Sequence, residues 1–275
     1  MQYTTTIKAG GSEKDYWKEL WLNRQLLWIL SKRDISVRYK QTLLGVAWSV
    51  LRPLMTMVIM VFVFSLVAKL EGDPGIPYPL MVLAGITIWT FFANTFTQIS
   101  NSILINSNLV SKVYFPRLLM PLSSVAVGLV DFMISFTIFL IFTVLSGYPL
   151  SWNILYLPAF VILTFVISLG FGLFFAVLNV RFRDIGQLIP FIIQVGFYIC
   201  PIAYTSRLVH GQWFEKYYKL NPIVGIIDGF KWCLLGDKAY FDVQSLYSTI
   251  VISFFILILS VLYFRKKENT FVDHI

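Results

Sequence analysis

The sequence predicts an all-α integral membrane protein with six transmembrane helices. Of the 275 residues, 57% are hydrophobic and 13% are charged, whereas soluble domains are about half apolar and a quarter charged. The mean hydropathy of +0.75 is correspondingly high. A membrane-spanning helix needs about 20 largely apolar residues. Such stretches lie at residues 53–70, 80–105, 118–146, 154–180, 186–205 and 246–264.

The distribution of lysine and arginine predicts the orientation of these helices. With the N-terminus inside, the cytoplasmic segments carry 16 of the 22 Lys and Arg residues, and the outer segments carry 6. Basic residues concentrate in cytoplasmic loops, so we expect both termini in the cytoplasm. The net charge of +8 and the pI of 9.4 then indicate contact with anionic lipid head groups and not with nucleic acid.

Residues 14–31 predict an amphipathic helix that lies at the membrane interface before the first span. Trp17, Trp21 and Trp28 recur at helical spacing among basic residues, and tryptophan is enriched at the head-group boundary. A solvated helix that anchors nothing is the alternative, because amphipathic helices are also common in soluble proteins.

Basic residues continue through residues 32–54 up to the first span. Arg38 and Lys40 have side chains long enough to reach water or phosphate groups, and Arg52 lies where the chain enters the membrane. Asp131 is the only carboxylate well inside a predicted span. A buried acid needs a partner, and proton relays usually contain several acids. We therefore expect a structural ion pair, with Arg52 as the candidate partner.

Two predicted spans carry amide and aromatic side chains on one helical face. The residues are Phe91, Asn94 and Gln98 on the second span and Phe191, Gln194 and Tyr198 on the fifth. Amides hydrogen-bond hydroxyl groups, and ring faces contact C–H surfaces, so these side chains are candidates for a path that carries a polar, uncharged substrate. Hydrogen bonding between the helices of a bundle accounts for the same pattern. The spacing leaves both alternatives open.

Residues 212–235 hold two apolar pieces that are each too short to cross the membrane, separated at Asn221-Pro222. Proline ends one helix and starts the next. We expect a pair of short re-entrant helices on the outer side, with their turn buried by protein. A loop lying flat on the outer surface is the alternative.

The sequence contains no recognisable catalytic or nucleotide-binding motif. Its only histidines are His210 and His274, so histidine metal sites and Ser-His triads are not expected. None of the 16 glycines is followed by lysine, which excludes a Walker A loop. Cys200 and Cys233 are interpreted as small apolar fillers. We expect a transport subunit without a cofactor of its own, so any ATP and Mg²⁺ would be bound by a partner.

Three stretches resemble one transporter family. They are "RDISVRYKQTLLGVAWSVLRPL" (33–54), "NVRFRDIGQLIPFIIQVGFYICPIAY" (179–204) and "LNPI" (220–223). They are similar to the ABC-2 permeases that export bacterial polysaccharides, which include O-antigen, teichoic-acid and capsule exporters. The first two stretches are fairly specific, whereas the third alone is weak. The resemblance covers essentially the whole chain, so residues 1–275 are expected to form one ABC-2 transmembrane domain.

The resemblance implies a homodimer in the bacterial plasma (inner) membrane, with a cytoplasmic ATP-binding subunit bound to each copy. It supports the interfacial helix and the re-entrant helices. It places ATPase docking in residues 108–122, where Lys112, Tyr114, Phe115 and Arg117 are the candidate contacts. It also favours the substrate path over bundle packing for the six amide and aromatic residues.

The resemblance further implies a lipid-linked glycan as the substrate. Arg38, Lys40 and Arg52 would then bind its diphosphate at the cytoplasmic membrane face, since guanidinium and ammonium groups bind phosphate strongly where water is partly excluded. The function expected is ATP-driven export of an O-antigen-type polysaccharide. A teichoic-acid or capsule exporter of the same family is the first alternative, and an efflux permease for small lipophilic compounds is the second.

Overall fold

The computed structural model describes residues 13–40, 46–182 and 184–271. Every regular element in these residues is helical, which agrees with the predicted class. The α-helices are α1 (Glu13–Leu22), α2 (Arg24–Lys40), α3 (Val46–Met60), α4 (Tyr78–Ile105), α5 (Ser107–Lys112), α6 (Leu119–Leu145), α7 (Leu157–Arg181), α8 (Ile185–Ile199), α9 (Glu215–Lys219), α10 (Pro222–Leu235) and α11 (Val243–Lys267). A π-helical segment, Val61–Val67, continues α3.

Within the described residues, five helical segments are long and apolar enough to cross a membrane. They are Ala47–Val67, Tyr78–Ile105, Leu119–Leu145, Trp152–Arg181 and Val243–Thr270, and they overlap five of the predicted spans. The chain is therefore a multi-pass membrane protein. The predicted span 186–205 corresponds to α8, which has 15 residues. At 1.5 Å per residue α8 is about 22 Å long, shorter than the roughly 30 Å apolar core of a bilayer.

The first span begins earlier than predicted, at Ala47 instead of residue 53. Pro53 lies inside α3 and not in its first turn. Because proline has no N–H, it leaves the carbonyl of Ser49 without its usual helical donor.

Helix α4 lies at the centre of the bundle and is buried on most of its faces. It packs chiefly against α6 and α7. Small residues permit these close approaches: Gly128 of α6 lies against Thr95, and Gly172 of α7 lies against Ile99. Membrane helices commonly pack through small residues, because apolar burial adds little when the solvent is lipid.

The predicted N-terminal helix 14–31 is divided into two and extends further than expected. α1 and α2 are separated at Asn23, and α2 continues to Lys40. Leu30 of α2 is buried, and α2 packs along α6. Trp21 and Trp28 are 70% and 71% exposed, so the tryptophan side of these helices is not covered by the described part of the chain.

Polar contacts define two opposite ends of the bundle. At one end, the Tyr16 hydroxyl donates to Glu268 at 3.0 Å, which joins α1 to the segment after α11. We call this end the terminal face. At the other end, the Thr205 hydroxyl donates to Asp73 at 2.8 Å, and the Tyr240 amide donates to the same carboxylate at 3.0 Å. We call this end the distal face.

The predicted break at Asn221-Pro222 is present, because α9 ends at Lys219 and α10 begins at Pro222. The Asn221 side chain accepts a hydrogen bond from the Ile223 amide at 3.1 Å and so caps α10. Most of α10 is buried. Its Lys231 donates to the carbonyls of Pro201 and Tyr204, which fixes the segment after α8 against α10.

Candidate functional site

A cavity of about 320 Å³ lies where the end of α2 and the start of α3 meet α4 and α6. It is lined by Arg38, Tyr39, Trp48, Ser49, Arg52, Pro53, Thr90, Asn94, Asp131 and Ser135. We call it the arginine cavity. Its lining contains two guanidinium groups and one carboxylate, so it is positively charged at neutral pH.

The depth of the arginine cavity follows from the helix lengths. Asn94 lies 16 residues after the start of α4, and Asp131 lies 14 residues before the end of α6. At 1.5 Å per residue these side chains are about 24 and 21 Å from the distal ends of their helices. Measured from those ends, the two side chains lie about 6 to 9 Å inside the terminal-side edge of a roughly 30 Å apolar core.

Three donors from two helices converge on the carboxylate of Asp131. Arg38 of α2 forms an ion pair with Oδ2 at 2.5 Å. The hydroxyl of Tyr39 donates to Oδ1 at 2.5 Å, and the amide of Asn94 donates to Oδ2 at 3.2 Å. Asp131 thus has the structural partner that its position predicted, but the partner is Arg38 and not Arg52. The reason is that α2 extends to Lys40 alongside α6, which brings Arg38 to the carboxylate.

The surroundings of Arg38 and Arg52 differ. With its amide oriented to satisfy its neighbours, Gln98 accepts from Nη1 of Arg38 at 3.3 Å. The guanidinium of Arg52 instead lies over the ring of Trp48, 5.9 Å from its centroid, a cation–π contact. Burial, and secondly the hydrogen bond to Asp131, raise the pKa of Tyr39 to about 12. The Tyr39 phenol therefore stays protonated and serves as a donor.

Two of the three predicted phosphate-binding cations, Arg38 and Arg52, share the arginine cavity. The side chain of Lys40 lies outside the described residues. Tyr39 was not identified as a site residue from the sequence, although it directly follows Arg38 in the family stretch at residues 33–54. Phosphate oxygens accept charge-assisted hydrogen bonds from guanidinium groups, so the cavity has the chemistry of an anion site.

The predicted path residues fall into two separate groups within one chain. On α4, Phe91 is buried against Phe132 with ring centroids 5.1 Å apart, while Asn94 and Gln98 hydrogen-bond around Asp131 and Arg38. These contacts are interhelical packing, the alternative that the spacing left open. On α8, by contrast, Phe191, Gln194 and Tyr198 are exposed. The six residues do not line one surface of a single chain, because the α4 group faces α6.

The predicted docking residues also divide by burial. Lys112 and Tyr114 are exposed, and Tyr114 has 69% of its surface accessible. Phe115 is buried in an apolar cluster with residues of α4, α6 and α7. The guanidinium of Arg117 lies 6.0 Å from the ring centroid of Phe271, which links this segment to the chain after α11. Lys112 and Tyr114 are thus available to a partner, whereas Phe115 and Arg117 hold the segment in place.

Comparison with known proteins relates most of the chain to bacterial transport proteins. The ABC-2 type transporter family matches residues 25–235. An O-antigen export system permease protein RfbA from Klebsiella pneumoniae is 29% identical over 254 residues, which are 90% of this chain and 94% of the relative. The protein of the same name from Myxococcus xanthus is 24% identical, with 94% and 98% covered. The polysialic acid transport protein KpsM from Escherichia coli is 22% identical, with 71% and 76% covered.

The family match extends from α2 to the end of α10. It therefore includes the arginine cavity, the segment after α5 and the exposed face of α8. The chain belongs to the ABC-2 type transporter family, as its resemblance to the polysaccharide export permeases predicted.

Proposed function

We propose that the chain is the permease subunit of an ATP-driven exporter that moves a lipid-linked, O-antigen-type polysaccharide from the cytoplasm across the bacterial inner membrane. The observation that carries this proposal is the arginine cavity in a chain that aligns over 90% of its length with an O-antigen export permease. An efflux permease for small lipophilic compounds would not need two guanidinium groups within the membrane, where charged side chains are costly.

In this proposal the chain crosses the membrane six times, with both termini in the cytoplasm. α8 starts near the terminal face, and Thr205 contacts Asp73 at the distal face. The residues between them therefore complete the sixth crossing that α8 alone is too short to make. The terminal face is the cytoplasmic side, where the excess of Lys and Arg lies. The exposed tryptophans of α1 and α2 rest at the cytoplasmic head groups, and α10 is a re-entrant helix in the outer leaflet.

The arginine cavity binds the diphosphate of the lipid carrier in this proposal. Arg38 and Arg52 provide charge-assisted hydrogen bonds to phosphate oxygens, and Lys40 follows Arg38 on the same helix. A cavity at the start of α3 is open to a lipid that approaches along the membrane plane, because most of α3 is not covered within the described chain.

An ATP-binding subunit supplies the energy, with ATP and Mg²⁺ bound there. Its proposed docking surface is formed by Lys112, the last residue of α5, and by Tyr114 in the segment that follows. A second copy of the chain completes the transporter. The exposed α8 residues Phe191, Gln194 and Tyr198 then face the glycan between the two copies. On α4, Asn94 lines the arginine cavity, Gln98 hydrogen-bonds Arg38 and Phe91 packs against Phe132.

Export of a capsule-type polysaccharide is the second candidate function. It is favoured by the similarity to a polysialic acid transport protein, which covers 71% of this chain. Both candidates use the same cavity, and they differ in the glycan that is carried.

The proposal is tested in cells that lack the chromosomal copy and carry variants of this chain. Arg38→Gln and Arg52→Gln should each lower the rate at which polysaccharide reaches the cell surface by at least about tenfold. The reason is that a charge-assisted hydrogen bond contributes about 1.5 to 3 kcal/mol. Lipid-linked glycan should accumulate in the inner membrane. Lys216→Gln, which removes an exposed cation on α9, is the control and should export normally. Normal export by both arginine variants would contradict the proposed site.

A further inference from the structure

A second cavity, of about 230 Å³, lies at the terminal face between the last turns of α7 and α11. We call it the α7–α11 cavity. Its lining includes Val177, Val180 and Arg181 of α7 and Tyr263 and Lys267 of α11. Among the described residues that line it there are two cations, Arg181 and Lys267, and no carboxylate. The cavity is therefore positively charged at neutral pH.

Neither cation of this cavity is neutralised by a described carboxylate. Arg265, in the same turn of α11 as Lys267, pairs with Glu268, but the ion pairs of the described chain include neither Arg181 nor Lys267. Helix dipoles favour basic side chains at helix C-termini, so these two charges alone would not define a site. The cavity that they line and the surface beside it supply the further observations.

The two cations lie at the level of the lipid head groups. Arg181 and Lys267 are the last residues of α7 and α11, and each lies 24 residues after the first residue of its helix. At 1.5 Å per residue they are about 36 Å from the distal ends of these helices. Measured from those ends, they lie about 6 Å beyond a roughly 30 Å apolar core.

The surface that leads from the α7–α11 cavity toward the bilayer centre is apolar and uncovered within the described chain. Phe174 lies about one turn before Val177 on α7, and Leu259 lies one turn before Tyr263 on α11. Their side chains are 40% and 50% exposed. The ring centroids of Phe174 and Tyr263 are 5.6 Å apart, so the cavity and the apolar surface are continuous.

We infer that the α7–α11 cavity binds the head group of an anionic phospholipid, whose acyl chains lie against Phe174 and Leu259. Basic pockets between membrane-spanning helices bind phosphate-bearing head groups. A zwitterionic head group also carries an ammonium group, for which the described lining offers no carboxylate, so a head group with a net negative charge is preferred. The site shares no lining residue with the arginine cavity, and the inference does not depend on which substrate the chain exports.

Native mass spectrometry of the full chain in detergent tests this inference, with phosphatidylglycerol and phosphatidylcholine of identical acyl chains as probes. The wild-type chain should bind phosphatidylglycerol at least about tenfold more tightly than phosphatidylcholine. Arg181→Gln and Lys267→Gln should each weaken binding of phosphatidylglycerol about fivefold, the effect of one basic residue near an anionic lipid surface. Lys266→Gln removes the same charge from an exposed neighbour that does not line the cavity. It is the matched control and should bind phosphatidylglycerol as the wild type does.

A further variant, Thr270→Phe, keeps every charge. Thr270 is exposed and lines the cavity from the segment after α11, so a phenylalanine there would occupy the space for the head group. This variant should lose the preference for phosphatidylglycerol although both cations remain. Thermal unfolding in detergent shows which variants retain the fold, and Thr270→Phe decides the test if a charge variant unfolds.

Competition with inorganic phosphate separates a lipid site from a site for a soluble anion. Phosphate at the same concentration should not displace phosphatidylglycerol, because it lacks acyl chains to contact Phe174 and Leu259. Displacement by phosphate would overturn the assignment to a lipid. Equal weakening by Lys266→Gln and Lys267→Gln would show general attraction to surface charge and overturn the site. Loss of phosphatidylglycerol in Arg52→Gln, with normal binding in Arg181→Gln and Lys267→Gln, would place the lipid in the arginine cavity instead and leave the proposed function standing.

Discussion

Two adjacent residues after α5 have opposite environments. Phe115 is 7% exposed and packs in the apolar cluster near the terminal face, whereas Tyr114 is 69% exposed. A buried phenylalanine stabilises the fold by the apolar surface it removes from water. An exposed tyrosine is of the type that forms the core of protein interfaces. The sequence places both residues in one candidate docking segment, and burial separates their roles.

Substitution of these two residues should therefore give different defects. Phe115→Ala should destabilise the chain by about 3 kcal/mol or more, the usual cost of emptying a buried aromatic site. Tyr114→Ala should leave stability unchanged and weaken capture of the ATP-binding subunit. Thermal unfolding in detergent and co-purification measure the two effects. Normal capture by a double variant, Lys112→Ala with Tyr114→Ala, would show that docking uses another surface.

The proposed glycan path depends on the exposed face of α8. Phe191 and Tyr198 are 61% and 59% exposed, while Phe197 on the other side of the helix packs against Trp89 of α4. An aromatic ring contributes about 0.5 to 1.5 kcal/mol through face contacts. Most of α8 is exposed within the described chain, and exposed aromatic rings are of the type that contacts the C–H face of a sugar.

Tyr198→Ala and Phe191→Ala should each slow export by about two- to tenfold, the rate equivalent of one lost ring contact. Leucine at either position should restore little, because it is apolar but has no flat face. Phe255→Ala on α11, another exposed aromatic, is the control and should export normally. Full activity with leucine at both positions would remove these residues from the path.

Near the distal face, α10 packs so closely against α7 that Gly229 leaves no room for a side chain. A Cβ atom on Gly229 would lie 1.9 Å from the ring of Phe160. Gly229→Ala should therefore destabilise the chain by about 1 to 3 kcal/mol through overpacking. Gly186→Ala is the matched control, because its Cβ would meet only Asn179 Oδ1, at 3.3 Å. Equal unfolding temperatures for the two variants would show that α10 does not pack this tightly against α7.

At the scale of the whole molecule, hydropathy predicts most of the architecture because the bilayer fixes the length of a span. It misplaces the start of the first span, since Pro53 is tolerated inside α3. It also cannot separate α8 from the segment that follows, because residues 200–203 are as apolar as a span although they are not helical.

The candidate site is less predictable from the sequence. The family stretch at residues 33–54 identifies Arg38 and Arg52, but the partner of Asp131 depends on how far α2 extends along α6. Helix spacing gives the faces of α4 and α8 correctly, yet it does not determine which neighbour each face meets. For this reason the α4 residues are found in interhelical contacts and the α8 residues on the surface.

The most direct test of the central proposal is a translocation assay in inside-out membrane vesicles that contain the chain, its ATP-binding subunit and a lipid-linked polysaccharide. A glycosidase added outside reports the glycan that remains on the cytoplasmic side. We expect ATP, but not a non-hydrolysable analogue, to protect the glycan from the enzyme, and vesicles without the chain to show no protection. Glycan that stays fully digestible while the complex hydrolyses ATP would contradict polysaccharide export by this chain.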